Sequence, residues 1–142
     1  MRTSAAAIVL QPANWPRPRG YTHGMIAEGR GIFLAGQVGC DAAGRFATGL
    51  PAQVGRALAN IATLLADAGA QPEHVVRLTW WVTDMPAYRA QQEAIGQAYR
   101  GVLGRHFPAM SVIGAAELVS PEALVEIEAT AVLPAGAGPR NA

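Results

Sequence analysis

Hydrophobic positions recur along the chain with two different periods, and the change from one to the other marks out the elements. Val54, Leu58, Ile61, Leu65 and Ala68 return every three or four positions, which gathers them into one apolar stripe on a helix. Pro51 stands where a first-turn proline starts such a helix, and Gly69 where one ends. A second stripe of Tyr88, Gln92, Ile95, Tyr99 and Val102 predicts a helix over 86–103, capped by Asp84, with Pro86 in its first turn and its apolar side toward the same core.

The remaining apolar segments alternate, as strands do. Over 75–84, Val76, Leu78, Trp80 and Val82 share one face, and Arg77, Thr79, Trp81 and Thr83 the other. Over 124–133, Val125, Ile127, Ala129 and Ala131 alternate with Glu126, Glu128 and Thr130, and Met110 to Ala115 is a shorter extended run. Segments 24–28 and 31–38, separated by Glu28-Gly29-Arg30, predict a β-hairpin. Pro12, Pro16 and Pro18 make the chain up to Gly20 an extended arm or edge segment, and Asp41 to Gly49 is a loop. The expected unit is a single domain over 1–134, followed by a flexible Gly/Pro/Ala tail over 135–142.

This order of elements predicts an α+β domain, a mixed β-sheet with two helices on one face. Two helices leave the other face, with Trp81, uncovered, so self-association is expected, with clefts between subunits lined by strand ends and loops. Composition agrees: 51% of the 142 residues are hydrophobic and 15% charged, which suits a packed domain with apolar surface left for a second copy.

Charge narrows the chemistry. The net charge is +1 and the eleven basic residues are scattered, which speaks against a nucleic-acid surface. All eleven are arginine, so Schiff-base lysines, pyridoxal phosphate attachment and a phosphate-loop lysine are excluded. Cys40 is the single cysteine, which excludes an intrachain disulfide and a cysteine-built metal cluster within one chain. No apolar run reaches the roughly 18–20 residues of a membrane span, and the Ala5–Leu10 run gives way to Gln11-Pro12 rather than to a long signal core. A cytoplasmic protein with no membrane partner is the expectation.

Single constellations say less. His23, His74 and His106 fall in three segments without ligand spacing, so no metal is expected. Glu126 and Glu128 share a strand face, either as an acid/base pair or as charges at a solvent or subunit boundary. Gly36-Gln37-Val38-Gly39 lacks the helix start a phosphate loop needs, and Gly36 suits a bulge or a close backbone approach.

In order and spacing, several short motifs together resemble the RidA/YjgF family, the reactive-intermediate imine deaminases also called endoribonuclease L-PSP proteins. They are Gly20-Tyr21-Thr22-His23-Gly24, Ile32 through Gln37, Gln53 through Leu58 with Asn60, Val82-Thr83-Asp84, Phe107 through Ser111, and Val125 through Ala129, and the likeness runs over about residues 12–134. The resemblance implies a chorismate-mutase-like fold and a homotrimer with a central β-barrel, whose intersubunit clefts take a small enamine, imine or related carbonyl metabolite and hydrolyse it without a cofactor. It implies Glu126 and Tyr21 as catalytic residues and Gly36, Ala35, Met110, Ser111 and Val112 as substrate-binding ones. Met110 stands where the deaminating branch has the arginine that holds a substrate carboxylate, and Ala35 where a serine is common. Arg77 and Arg105 are the candidate substitutes for the missing cation. A non-catalytic small-molecule-binding or regulatory trimer stays open as an alternative, and ribonuclease activity ranks last because no basic groove is in view.

Overall fold

The computed structural model describes residues 7–136; most of the expected tail, residues 137–142, lies outside them, and 135–136 form a turn. The strands are β1 (Ile8–Leu10), β2 (Gly24–Ile26), β3 (Arg30–Val38), β4 (Val75–Val82), β5 (Ala109–Gly114) and β6 (Val125–Leu133). The helices are α1 (Leu50–Asp67), α2 (Met85–Ala90) and α3 (Gln92–Leu103). Four strands form one sheet in the order β3-β6-β4-β5, antiparallel except for the parallel β4–β5 pair. The architecture is the mixed-sheet α+β fold that the periodicities predict.

The α1 stripe is the centre of the core: Val54, Ala57, Leu58, Ile61 and Leu65 are fully buried. They meet Ile95, Tyr99 and Leu103 of α3 and the inward rows Leu78, Trp80 and Val82 of β4 and Val125, Ile127, Ala129, Ala131 and Leu133 of β6. Each large side chain in this layer contributes roughly 1.5–3 kcal/mol by leaving water. No helix of the described residues is long and apolar enough to cross a membrane.

Three details differ from the sequence reading. The expected hairpin does not form: β2 pairs with β1, Ile8 opposite Ile26, while β3 pairs with β6. Glu28-Gly29-Arg30 therefore passes the chain from one sheet to another, and Gly29, at φ 144°, lies so close to the Leu133 carbonyl that no side chain would fit. The expected helix over 86–103 is two helices, broken at Gln91, where φ −119° and ψ 26° leave the helical region. There the Gln91 side chain donates to the Ala87 carbonyl and competes with its own backbone N–H for that acceptor. Finally, a register shift between Val75 and Arg77 turns Val75 into the core and leaves Val76 half-buried, one position away from the alternation expected of β4.

Two amides tie the loops to this frame. Gln53, buried on α1, donates to the carbonyls of Ala47 and Glu122, both at 3.1 Å, and accepts from the Leu124 N–H at 2.8 Å. Asn60 donates to the carbonyls of Val38 (3.2 Å) and Cys40 (3.0 Å), fixing the end of β3. Gln53→Ala strands two carbonyls and one N–H and is expected to lower stability by about 3 kcal/mol, read as a lower urea midpoint with an unchanged m-value.

Candidate functional site

A cleft of about 750 Å³ opens on the helix side of the sheet, between α2, α3 and the β4–β5 edge. Met110 and Val112 form its strand wall, because the parallel register sets them beside Leu78 and Trp80, whose side chains point inward. The segment Arg19–Tyr21 closes one end. It is held there by Thr22, whose N–H donates to the Pro108 carbonyl at 3.2 Å in a parallel bridge beside Ala109. Tyr21, 38% exposed, meets the His23 ring edge-on at 5.7 Å, and His23 meets Trp15 at 4.9 Å.

Aromatic rings line the rest. Tyr99 stacks with Phe107 (centroids 5.5 Å apart) and with Trp80 (6.3 Å), and Tyr88 meets Trp80 edge-on at 6.3 Å. The Tyr99 hydroxyl donates to the His106 carbonyl at 2.6 Å, and the His106 ring in turn bonds the Val75 carbonyl at 2.7 Å. Trp80 is buried, and its indole N–H has no acceptor among the described residues. Arg19, Glu93 and Arg100 bring charge to the lining. Sequence reasoning assigned Tyr88 and Tyr99 to the core stripe of a helix, Trp80 to the apolar face of a strand and Phe107 to a family motif, and named none of them, nor Arg19 or Arg100, as a site residue. Clustered aromatics at helical spacing opposite the Met110 strand are the signal that could have found them.

The other expected residues lie elsewhere. Glu126, on β6, alternates with the buried Val125 and Ile127 and so projects from the face away from the helices. Gly36 lies against it: β3 bulges between Leu34 and Gln37, and a Cβ at Gly36 would fall on the Glu126 carboxylate, 2.7 Å from Cδ and 2.8 Å from Cγ. Ala35 is exposed in the same bulge, and its carbonyl accepts from the Gln37 side chain at 3.1 Å. Ser111 is exposed on the face opposite to Met110 and Val112, in register with Thr79. One chain thus joins Tyr21, Met110 and Val112 in the cleft and Gly36 with Glu126 behind the sheet, and it keeps the two groups apart. Arg77 stands on that far face opposite Thr130, and Arg105 is exposed just after α3; neither lines the cleft.

A family model described as Endoribonuclease L-PSP matches residues 14–133. A RutC family protein of Synechocystis is 32% identical over 129 residues, which is 89% of this chain and 96% of that protein. Among solved structures, a Rid protein family member of unknown function from Yersinia pestis superposes with a TM-score of 0.80 at 37% identity, covering 91% of this chain and all of that one. The YjgF gene product of E. coli superposes with a TM-score of 0.64 at 26% identity, covering 87% and 97%.

Burial pushes the phenols of Tyr88 and Tyr99 above their ordinary value of 10. The folded chain keeps these protons where the unfolded chain releases them, so this contribution to stability is complete below about pH 10 and is lost as pH rises beyond it. Tyr99→Phe is expected to flatten that alkaline loss in denaturation curves between about pH 9 and 11, while costing about 1 kcal/mol at neutral pH for the missing hydrogen bond.

Proposed function

This chain belongs to the endoribonuclease L-PSP family, and on that premise we propose that it binds a small enamine, imine or related carbonyl compound in a cleft completed by a second copy of the chain, and hydrolyses it without a cofactor. The observation that carries the reading is the division of the site residues over two faces of one sheet. Tyr21, Met110 and Val112 line a cleft on one side, and the Glu126 carboxylate, packed on the bare backbone of Gly36, lies on the other. A reacting carbon can be close to both groups when the far face of one copy meets the cleft of the next. That far face is suited to burial, since it carries Phe33, 78% exposed, and Ile113, 43% exposed, beside the half-buried Trp81. Closed threefold symmetry pairs every such face with a neighbouring cleft, as a homotrimer does.

In this reading Glu126 takes a proton from water as its oxygen bonds to the imine carbon and the C=N electron pair passes to nitrogen. Nitrogen then takes the proton from Glu126, which gives a neutral carbinolamine. Its C–N bond breaks as the carbonyl forms, the hydroxyl proton moves through Glu126 to the departing nitrogen, and ammonia leaves with the carboxylate restored. Tyr21 orients the ligand from the cleft end. Met110 supplies apolar contact and no charge, so a substrate carboxylate is not held from β5.

The same trimer could bind its ligand without turnover, a second reading that the apolar side chains of Met110 and Ala35 favour. Ammonia release from freshly generated imino acids separates the two. Glu126→Gln is expected to lower the rate by about 10²–10⁴-fold with the thermal midpoint preserved. A rate at background in the wild type, with a ligand that still raises the thermal midpoint, would establish the binding protein instead. Met110→Arg is expected to speed hydrolysis of 2-aminoacrylate, a small enamine whose tautomer is an α-imino acid, relative to the wild type.

A further inference from the structure

Met110 removes a positive charge from the strand wall of the cleft, but the helix wall has one. Arg100 lies in the last turn of α3, and its guanidinium reaches back one turn over Gly96: a Cβ at Gly96 would be 3.1 Å from Nη1 and 3.9 Å from both Cζ and Nη2. Gly96 and Arg100 both line the cleft. With no side chain at 96, Nη1 of Arg100 comes close over this turn of α3 at the cleft wall, where a Cβ would push it off by a few tenths of an ångström. Neither Arg100 nor Arg19, the other arginine of the lining, makes an ion pair among the described residues. Glu93 also lines the cleft, so the three charged residues sum to +1, two arginines less one glutamate. A guanidinium with its fork unoccupied matches a carboxylate in two parallel hydrogen bonds. Beside it lie Tyr88, Met110 and Val112, a wall for a flat apolar body, and the floor holds Trp80 with its unpartnered N–H.

We propose that Arg100, reaching back over Gly96, is the anion-binding residue of this cleft, and that the ligand is a carboxylate bearing an aromatic or similarly flat apolar group. This rests on the reading of the cleft as the ligand site and adds to it the substrate class: an acid whose carboxylate is held from α3 instead of from β5. Displacing the anchor across the cleft leaves the strand wall apolar and favours bulky acids over the smallest ones.

The test uses phenylpyruvate and its neutral counterpart 1-phenylpropan-2-one as probes, titrated into the intact protein and followed by calorimetry and by tryptophan fluorescence. The wild type is expected to bind the acid at least tenfold more tightly than the neutral ketone, and less tightly as salt is raised. Arg100→Gln is expected to weaken the acid about tenfold or more and to leave the ketone unchanged. Gly96→Ala is the sharper variant, because alanine is the better helix former: acid binding is expected to fall while the thermal midpoint stays level or rises. Arg105→Ala, exposed after α3 and outside the cleft lining, should bind as the wild type does. Equal binding of acid and ketone, no binding of the acid by the wild type, full acid affinity in Arg100→Gln, or a loss appearing in Arg19→Ala instead would each overturn the assignment. Imine hydrolysis that depends on Glu126 while phenylpyruvate binding ignores Arg100 would remove this inference alone and leave the proposed function standing.

Discussion

Everything in this molecule follows from the alternation of side chains across its four-stranded sheet. Val125, Ile127, Ala129 and Ala131 must enter the core under α1, so Glu126, Glu128 and Thr130 must leave it on the other side. The same rule on β5 turns Met110 and Val112 to the helices and Ser111 and Ile113 away. A one-residue slip would exchange the two sets and put carboxylates beneath α1, so burial of the apolar row fixes the register firmly. The division of the site residues over two faces is a consequence of the core.

Close backbone approaches then set the fine positions. A bulge in β3 lays Gly36 on the Glu126 carboxylate, and Gly39 packs on the backbone of α1 at Gln53, where a Cβ would lie 2.6 Å from the Gln53 Cα. Gln53 and Asn60, both on α1, hold the chain on either side of these contacts through carbonyls and one N–H that would otherwise be stranded. The motif positions that look least chemical, a glutamine and an asparagine on a helix, are thus what keep the loops around Glu126 in place. On the other side of the sheet the bridge between Thr22 and Ala109 does the same for Tyr21, tying it to the start of β5.

The cleft and the far face differ in chemistry. The cleft is aromatic at its floor, apolar on its strand wall and charged on its helix wall. The carboxylate of Glu126 meets no such lining within its own chain. It lies against the bare backbone of Gly36 and opposite Trp81 of β4, on a face that also exposes Phe33 and Ile113.

How much of this could be read from the sequence depended on the range of the interaction. The α1 stripe, the inward row of β6 and the Asp84 cap are local: they follow from period and from residue type, and Asp84 does accept from the Ala87 N–H at 3.0 Å as its position suggests. Family membership was legible for the same reason, since short motifs kept their order and spacing across the chain. The partner of β2 was not legible, because Glu28-Gly29-Arg30 has the composition of a tight turn and only the carbonyl of Leu133, far away in the sequence, decides that Gly29 redirects the chain between sheets. Nor was the register shift at Val75, which is set by the pairing with β6, whereas the break at Gln91 is local, a side chain competing for the Ala87 carbonyl that the helical period conceals. Sequence determined which side chains had to be inside, because burial is a property of each residue's own chemistry and period. Only the tertiary structure decided which residues meet, because that depends on strand pairing and on close approaches such as Gly36 to Glu126 and Gly29 to Leu133, contacts between residues whose neighbours in the chain carry no trace of them.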